Sequence, residues 1–255
     1  MKHGDFTRLA KMYSNRPSYN YELINFISRS ITSLPNDESY VADIGAGTGK
    51  FTKILAKMGF KVFAVEPNDA MRKEGMNYTK NNDVVWSKGT GEATGLNSNK
   101  FNWVTMASSF HWTDTELSLP EFHRILKPEG HLSIIWNPRD IQSSKIHKSI
   151  EKIIYQNVPN LIRKSSGIRK QTKDWKNILV KNGYFHNVIY SECSYKKIIS
   201  KERYMNTWKS VNDIRVQAGE KRFKLILNQI ESRISKLDNI VVPYLNTCWT
   251  AQKLH

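Results

Sequence analysis

The segment Val41-Ala-Asp-Ile-Gly-Ala-Gly-Thr-Gly-Lys50 constrains this chain more than any other. A short apolar run enters a turn carrying Gly45, Gly47 and Gly49, and a helical pattern from about Lys50 to Met58 leaves it. Residues without a Cβ let a backbone pass close under a ligand, and the amides of a helix start point at the same place. The alternative is a glycine-rich strand-to-helix turn with no ligand.

Spacing narrows the choice. A phosphate-cradling P-loop needs G-x-x-x-x-G-K-[ST]. Counted back from Gly49-Lys50, its first glycine falls on Ile44, and Phe51 stands where Ser or Thr is required. The dinucleotide pattern G-x-G-x-x-G/A, begun at Gly45, meets Lys50 in sixth place. What remains is D-x-G-x-G-x-G. Asp43 is awkward beside a pyrophosphate and comfortable beside a cofactor with a cationic amino group and sulfonium.

The following segments alternate between strand and helix. Lys61-Val-Phe-Ala-Val65 runs into Glu66, 21 positions after Gly45, where doubly wound folds place a carboxylate against ribose hydroxyls. A third strand near Val84–Trp86 leads to Gly89-Thr-Gly-Glu-Ala-Thr-Gly-Leu96. A fourth, Phe101–Ala107, opens into Ser108-Ser-Phe-His-Trp112. A helix over about Leu117–Leu126 stops at Lys127-Pro-Glu-Gly130, and a fifth strand covers His131–Trp136. This order argues for a parallel α/β sheet.

Asp43–Gly49, Val65-Glu-Pro-Asn-Asp-Ala-Met71, Gly89–Leu96, Ser109-Phe-His-Trp112 and Arg124-Ile-Leu-Lys-Pro-Glu-Gly130 resemble class I S-adenosylmethionine-dependent methyltransferases. Tyr13-Ser-Asn-Arg-Pro-Ser-Tyr19, Tyr204–Ser210 and Val242–Thr247 are similar to the subgroup that includes the trans-aconitate methyltransferases. The resemblance implies a Rossmann-like, doubly wound, mostly parallel seven-stranded sheet whose last strand is antiparallel, with a helical cap. It implies one methyltransferase domain over 1–255. Within it fall an N-terminal lid at 1–35, a cofactor core at 36–140, a basic insertion at 141–183, and C-terminal strands at 184–255 with a cap near 200–236.

Carried over residue by residue, the resemblance implies a cofactor site of Tyr13, Arg16, Asp43, Gly45, Ala46, Gly47, Glu66, Pro67, Gly91, Glu92, Ala107 and Ser108. Gly45 and Gly47 would lie under the methionine and ribose, with Asp43 supporting the turn. Glu66 would bind the ribose hydroxyls, Gly91 and Glu92 would sit near the adenine, and Ser108 near the methionyl amine. Arg16 and Tyr13 would close over the methionine carboxylate. Thr90 departs from the pattern, since many relatives carry Asp there. Phe110, Trp112, Tyr19, Trp136, Arg139 and Trp208 are candidates for the acceptor pocket, each with core or cap packing as the alternative. His111 is the candidate catalytic residue, as a general base or as a positioning group.

Composition bears on the partners. Residues 1–140 hold 17 basic and 15 acidic side chains; residues 141–255 hold 22 and 8. Three readings stand for that basic half: a solvated surface, a lid attracting an anionic small substrate, or a nucleic-acid surface. Methyltransferases of base amines often carry Asn/Asp-Pro-Pro-Tyr/Phe after the fourth strand, where this chain has Ser108-Ser-Phe-His111. Within the insertion, Ile146, Ile150, Ile153 and Ile154 share one helical face over 145–156. Further helices are expected near Asp174–Asn182, Lys201–Val211 and Glu220–Ser235.

The expectation is a metal-free, cytoplasmic enzyme that methylates a small acceptor (carboxylate, hydroxyl or amine) using S-adenosylmethionine. RNA or peptide methylation is the alternative, followed by a cofactor-binding protein without turnover. The start of the sequence lacks the apolar run of a signal peptide. No stretch approaches the ~18 apolar residues of a membrane span. Cys193 and Cys248 lie outside metal-ligand spacing and read as reduced thiols.

Overall fold

A computed structural model describes residues 7, 10–13, 15–31, 39–162 and 174–255. Ser14 of the N-terminal motif, residues 32–38 and residues 163–173 of the basic insertion lie outside the described residues. The chain divides into two compact units, one of residues 1–17, 137–171 and 194–245, the other of residues 18–136, 172–193 and 246–255.

The second unit is built on the sheet. Strands β1 (Tyr40–Ile44), β2 (Lys61–Val65), β3 (Val84–Ser87), β4 (Phe101–Ala107) and β5 (Leu126–Trp136) pair in parallel in the order β3-β2-β1-β4-β5. The sheet continues through β7 (Asn239–Lys253) to β6 (Phe185–Ser200). β7 lies antiparallel to β5, with His131 opposite Gln252 and Trp136 opposite Thr247. This seven-stranded, mostly parallel Rossmann-like sheet with one antiparallel strand is the fold that the sequence led us to expect.

The central strands are apolar on both faces, as parallel strands covered by helices must be. Alternation along them divides two cores. Ala42, Ile44, Val104, Met106, Leu132 and Ile134 join one, while Val41, Trp103, Ile135 and Cys248 join the other. Phe101 and Trp103 are two residues apart yet fall in different cores, because the β4–β5 register shifts between them. Helix α3 (Lys50–Lys57) contributes Phe51, Ile54 and Leu55 to the second core, with α2 (Tyr21–Ile31) beside it through Leu23, Ile24 and Ile27. Helix α5 (Thr115–Ile125) gives Leu119, Phe122 and Ile125 to the first. Each such side chain stabilises the fold by roughly 1.5–3 kcal/mol. A buried polar line crosses three strands: Trp103 Nε1 donates to Ser133 Oγ at 2.9 Å, and Ser133 meets Thr250 at 2.7 Å.

Two boundaries differ from expectation. Helix α5 ends at Ile125, and β5 begins at once with Leu126, five residues before the expected start. The Pro-Glu-Gly stretch is thus strand rather than connection, because Phe101 pairs with Leu126 ahead of the register shift. Helices α4 (Asp69–Thr79) and α7 (Trp175–Val180) complete this unit.

The first unit holds α1 (Ala10–Tyr13), α6 (Lys145–Asn157), α8 (Lys201–Lys209) and α9 (Asn212–Arg233). Its own core gathers Ile150 and Ile154 from α6, Tyr204, Met205 and Trp208 from α8, and Ile214, Phe223, Ile226 and Ile230 from α9. Ser144 caps α6 by accepting from the His147 amide. The helix expected over Glu220–Ser235 is the second part of α9. Gly219, at φ 73° and ψ 160°, breaks the helix just before it.

Candidate functional site

In the order β3-β2-β1-β4-β5 the chain direction of winding reverses between β1 and β4, and doubly wound sheets bind ligands beyond the strand ends at that point. The glycine turn leaves β1 there. Its Gly45 and Ala46 amides both donate to Val65 O, at 2.8 and 3.1 Å, which pins the turn to the end of β2. Gly45, Gly47 and Gly49 have φ of 66°, 57° and 74°, a region open to glycine and strained for other residues.

The three glycines have different spatial roles. A Cβ on Gly45 would stand 2.6 Å from Ser109 Cβ, and one on Gly49 would stand 3.2 Å from the Trp86 ring. Packing within the protein therefore accounts for both. Only Gly47 has an uncrowded Cβ side, its nearest neighbour being Met71 Cε at 3.5 Å. Of the three, Gly47 is the position where a ligand can use the missing side chain.

Asp43 is fully buried. Thr52 donates to its Oδ2 at 2.6 Å and Thr105 to its Oδ1 at 3.1 Å, so the carboxylate joins β1, β4 and α3. Burial pushes its pKa up to about 7 against the lowering effect of the two threonine hydroxyls, and Glu66 adds a smaller upward push. The sequence reading set Asp43 among the cofactor ligands as well as under the turn. With both oxygens engaged by threonines, the structure assigns it the supporting position.

Glu66 reaches back from the end of β2 to the turn. Its Oε2 accepts from the Gly47 amide at 2.8 Å and its Oε1 from the Asn68 amide at 2.9 Å. Burial raises its pKa, opposed by these two amides and by Arg72. Pro67 follows it, exposed, and Asn68 caps α4 through Met71 N.

The remaining expected positions line up along the strand ends of the same unit. Gly91 is pressed against Thr113, and Glu92 Oε1 accepts from the Asp114 amide at 2.8 Å, which ties the loop after β3 to the start of α5. Thr90 turns inward on its own loop, accepting from Ala93 N at 3.1 Å. Ser108, after Ala107, sits at φ 58°, a strained position for a residue with a Cβ. Its Oγ accepts from Tyr19 Oη at 2.8 Å, and the Tyr19 ring packs edge-on against Phe51 at 5.1 Å. Ser109 Oγ donates to Ile44 O at 3.0 Å, locking the end of β4 to the end of β1.

The aromatic triplet separates into distinct roles. Phe110 is fully buried between Phe122 and Trp175, so this expected acceptor contact is a core side chain. Trp112 is 41% exposed and lies 4.8 Å from the His111 ring. Trp136 stacks on Trp175 at 4.8 Å, and its Nε1 donates to His111 Nδ1 at 3.3 Å. An indole N–H can only donate, so Nδ1 is the acceptor and the neutral imidazole carries its proton on Nε2.

Tyr13, Arg16 and Trp208 belong to the first unit. The Arg16 guanidinium lies 3.8 Å from the Tyr13 ring centre and donates to Ser210, at 3.2 Å to Oγ and 3.0 Å to the carbonyl. Trp208 is buried beneath Arg139. Thr52, Thr105 and Ser109 escaped the sequence reading. A threonine in a strand reads as β-propensity, and only the three-dimensional position of Asp43 reveals its partners. Among the described residues no group of three or more His, Cys, Asp or Glu side chains could hold a metal, and no helix is long and apolar enough to cross a membrane.

Residues 42–134 match the methyltransferase domain family. That domain spans the glycine turn, Glu66, Glu92, Ser108 and His111. An uncharacterised methyltransferase of Mycobacterium tuberculosis is 37% identical over 125 residues, 49% of this chain and 48% of that protein. The chain spans about half the length of the curated relatives it matches. A structure assigned as a type II methyltransferase of Anaeromyxobacter dehalogenans shares the fold with a TM-score of 0.68 at 15% identity, over 93% of this chain and 97% of that one. Haemonchus contortus phosphoethanolamine N-methyltransferase 2, solved with S-adenosyl-L-methionine, superposes with a TM-score of 0.56 at 15% identity, over 100% of this chain and 60% of that one.

Proposed function

We propose that this chain is an S-adenosylmethionine-dependent methyltransferase acting on a small-molecule acceptor. The observation that carries the reading is the Glu66 carboxylate held against the Gly47 amide at the β1/β4 reversal. An ionised carboxylate is an acceptor with two oxygens, and a ribose offers two hydroxyl donors. The donor set therefore fits the cofactor. Gly45, Ala46 and Gly47 would hold its methionine and ribose side, Pro67, Gly91 and Glu92 its adenine side, and Ala107 and Ser108 the methionyl amine. Tyr13 and Arg16 are assigned to the methionine carboxylate by the resemblance alone.

When bound, S-adenosylmethionine supplies an electrophilic methyl group on a sulfonium, so the protein chiefly positions the acceptor and excludes water. Tyr19, Trp112 and Trp136 are the remaining acceptor candidates of the sheet unit. With Nδ1 engaged by Trp136 and Nε2 buried, His111 shapes and positions the acceptor's site rather than removing a proton. An acceptor that is already a nucleophile, such as a carboxylate, needs no base. Cys193 and Cys248 stand outside any disulfide among the described residues, which supports a reducing compartment such as the cytoplasm.

Titration calorimetry of the full chain with S-adenosylmethionine and S-adenosylhomocysteine tests the reading. Saturable binding of both is expected; no heat up to millimolar ligand overturns it.

A further inference from the structure

A buried cation in the first unit, Arg139, is in no ion pair with an Asp or Glu among the described residues. Arg139 is 8% exposed. Its backbone is fixed by a bridge to Tyr244, and the flanking segments are joined by Asp140 N to Pro243 O at 2.9 Å and Leu245 N to Pro138 O at 3.0 Å. The guanidinium carbon lies 4.3 Å from the Trp208 ring centre, and one terminal nitrogen donates to Thr207 Oγ1 at 3.2 Å. Its charge also bears on the Tyr244 phenol, working against the upward push of burial there. The Nε–H is buried and makes no hydrogen bond. Among the described residues, no Asp or Glu forms an ion pair with it.

Such an arrangement is costly as it stands. Arginine cannot shed its proton, and buried charges in proteins are paired because an unpaired one forfeits its hydration. A neutral aromatic face and one hydroxyl only partly replace that hydration. The surroundings add further positive charge, since Arg203 and Arg16 both act on the Tyr244 phenol. His147 is buried, with Nδ1 2.8 Å from Ser144 Oγ and a buried Nε2 lacking any hydrogen bond. Burial, helped by the nearby Arg139 charge, drops its pKa to about 4 and keeps it neutral near pH 7. Arg139 thus keeps an unused N–H and His147 an unused imidazole nitrogen.

We propose that Arg139, framed by Thr207, Trp208 and Tyr244, is a binding site for the carboxylate of a small organic acid. The planar guanidinium matches a planar carboxylate in fork geometry. The site stands on this unit alone. Only the ligand's identity as the methyl acceptor rests on the function proposed above.

Thermal-shift and calorimetric titrations of the full chain test it, with benzoate and succinate as probes, benzamide and succinamide as uncharged matches, and inorganic phosphate as the competing anion. The carboxylates are expected to bind and raise the melting temperature, the amides to do neither, and phosphate to bind more weakly than either carboxylate. Arg139→Met should weaken carboxylate binding about 100-fold and Arg139→Lys, which keeps the charge and loses the fork, about tenfold. Equal binding of acids and amides, tighter phosphate, absence of carboxylate binding, or unchanged affinity in the variants overturns the site. Should Arg139→Met fail to fold, the acid-against-amide contrast on the unsubstituted chain decides. S-adenosylhomocysteine binding is measured in parallel. Its loss with acid selectivity intact sinks the methyltransferase reading alone, and its retention without acid selectivity sinks the Arg139 site alone.

Discussion

Glu66 Oε2 accepts the Gly47 amide at 2.8 Å, so a carboxylate at the end of β2 closes on the turn that leaves β1, across 19 residues of chain. The two groups assigned to the ribose side of the cofactor are thereby in contact with each other. Replacing Glu66 with Gln keeps the shape and removes the charge. Charge-assisted hydrogen bonds contribute about 1.5–3 kcal/mol, so S-adenosylhomocysteine affinity should fall about 10- to 100-fold while the fold persists. Calorimetry on the variant checks this, with circular dichroism as the folding control.

Gly45→Ala and Gly47→Ala should behave differently. At Gly45 the new methyl collides with Ser109 as well as forcing a left-handed residue, and a loss of about 2–4 kcal/mol is expected. At Gly47 only the backbone strain of about 1 kcal/mol applies, and the effect falls on cofactor affinity. Urea unfolding separates the two; equal destabilisation would contradict the packing argument.

Asp43 makes stability depend on pH in an unusual direction. Its folded pKa, about 7, lies above the ordinary 3.8, so the native state holds the proton more tightly than the unfolded chain does. The associated stability is complete below about pH 4 and is lost as pH rises towards 7, by a few kcal/mol. Urea midpoints compared across that window should decline in the parent chain, once its other carboxylates are accounted for, more steeply than in Asp43→Asn.

His111 as a positioning group predicts mild effects on turnover. A general base contributes about 10²–10⁴-fold. We expect His111→Gln to lose less than about tenfold in kcat, with the larger change in the acceptor KM and no shift in the pH profile. Release of S-adenosylhomocysteine is the readout. A loss beyond a hundredfold with a changed profile would restore His111 as the base.

Phosphate-driven binding of nucleic acid loses affinity steeply with salt. For a small-molecule enzyme we expect no saturable, salt-sensitive binding to a short RNA duplex, measured by fluorescence anisotropy. A steep salt slope would favour the basic half as an RNA surface.

The central strands of the sheet were legible because they are buried on both faces and read as apolar runs separated by glycine and proline signals. The β1 turn, Glu66 and the segment after β4 were legible because glycines and a carboxylate at fixed spacing have few other uses. Asp43 was harder. Its type and place suggested a ligand contact, but Thr52 and Thr105 enclose it, and neither threonine stands out in a sequence. Phe110 belongs to the same short motif as His111, yet its side chain fills the core while His111 meets Trp136. Arg139 stood in the sequence only as a weaker pocket candidate, with core or cap packing as the alternative, and its burial without an ion pair became visible only in the structure.

The edge of β5 has a long wait during synthesis. Ile134 and Ile135 pair with Trp249 and Cys248, yet β5 ends at Trp136 and β7 does not begin until Asn239. A chain emerging from the ribosome therefore carries an open, isoleucine-bearing strand edge while the intervening segment is made. Open edges of this kind recruit other strands. Chaperone dependence and the yield of soluble protein should accordingly hinge on how quickly the late strand arrives.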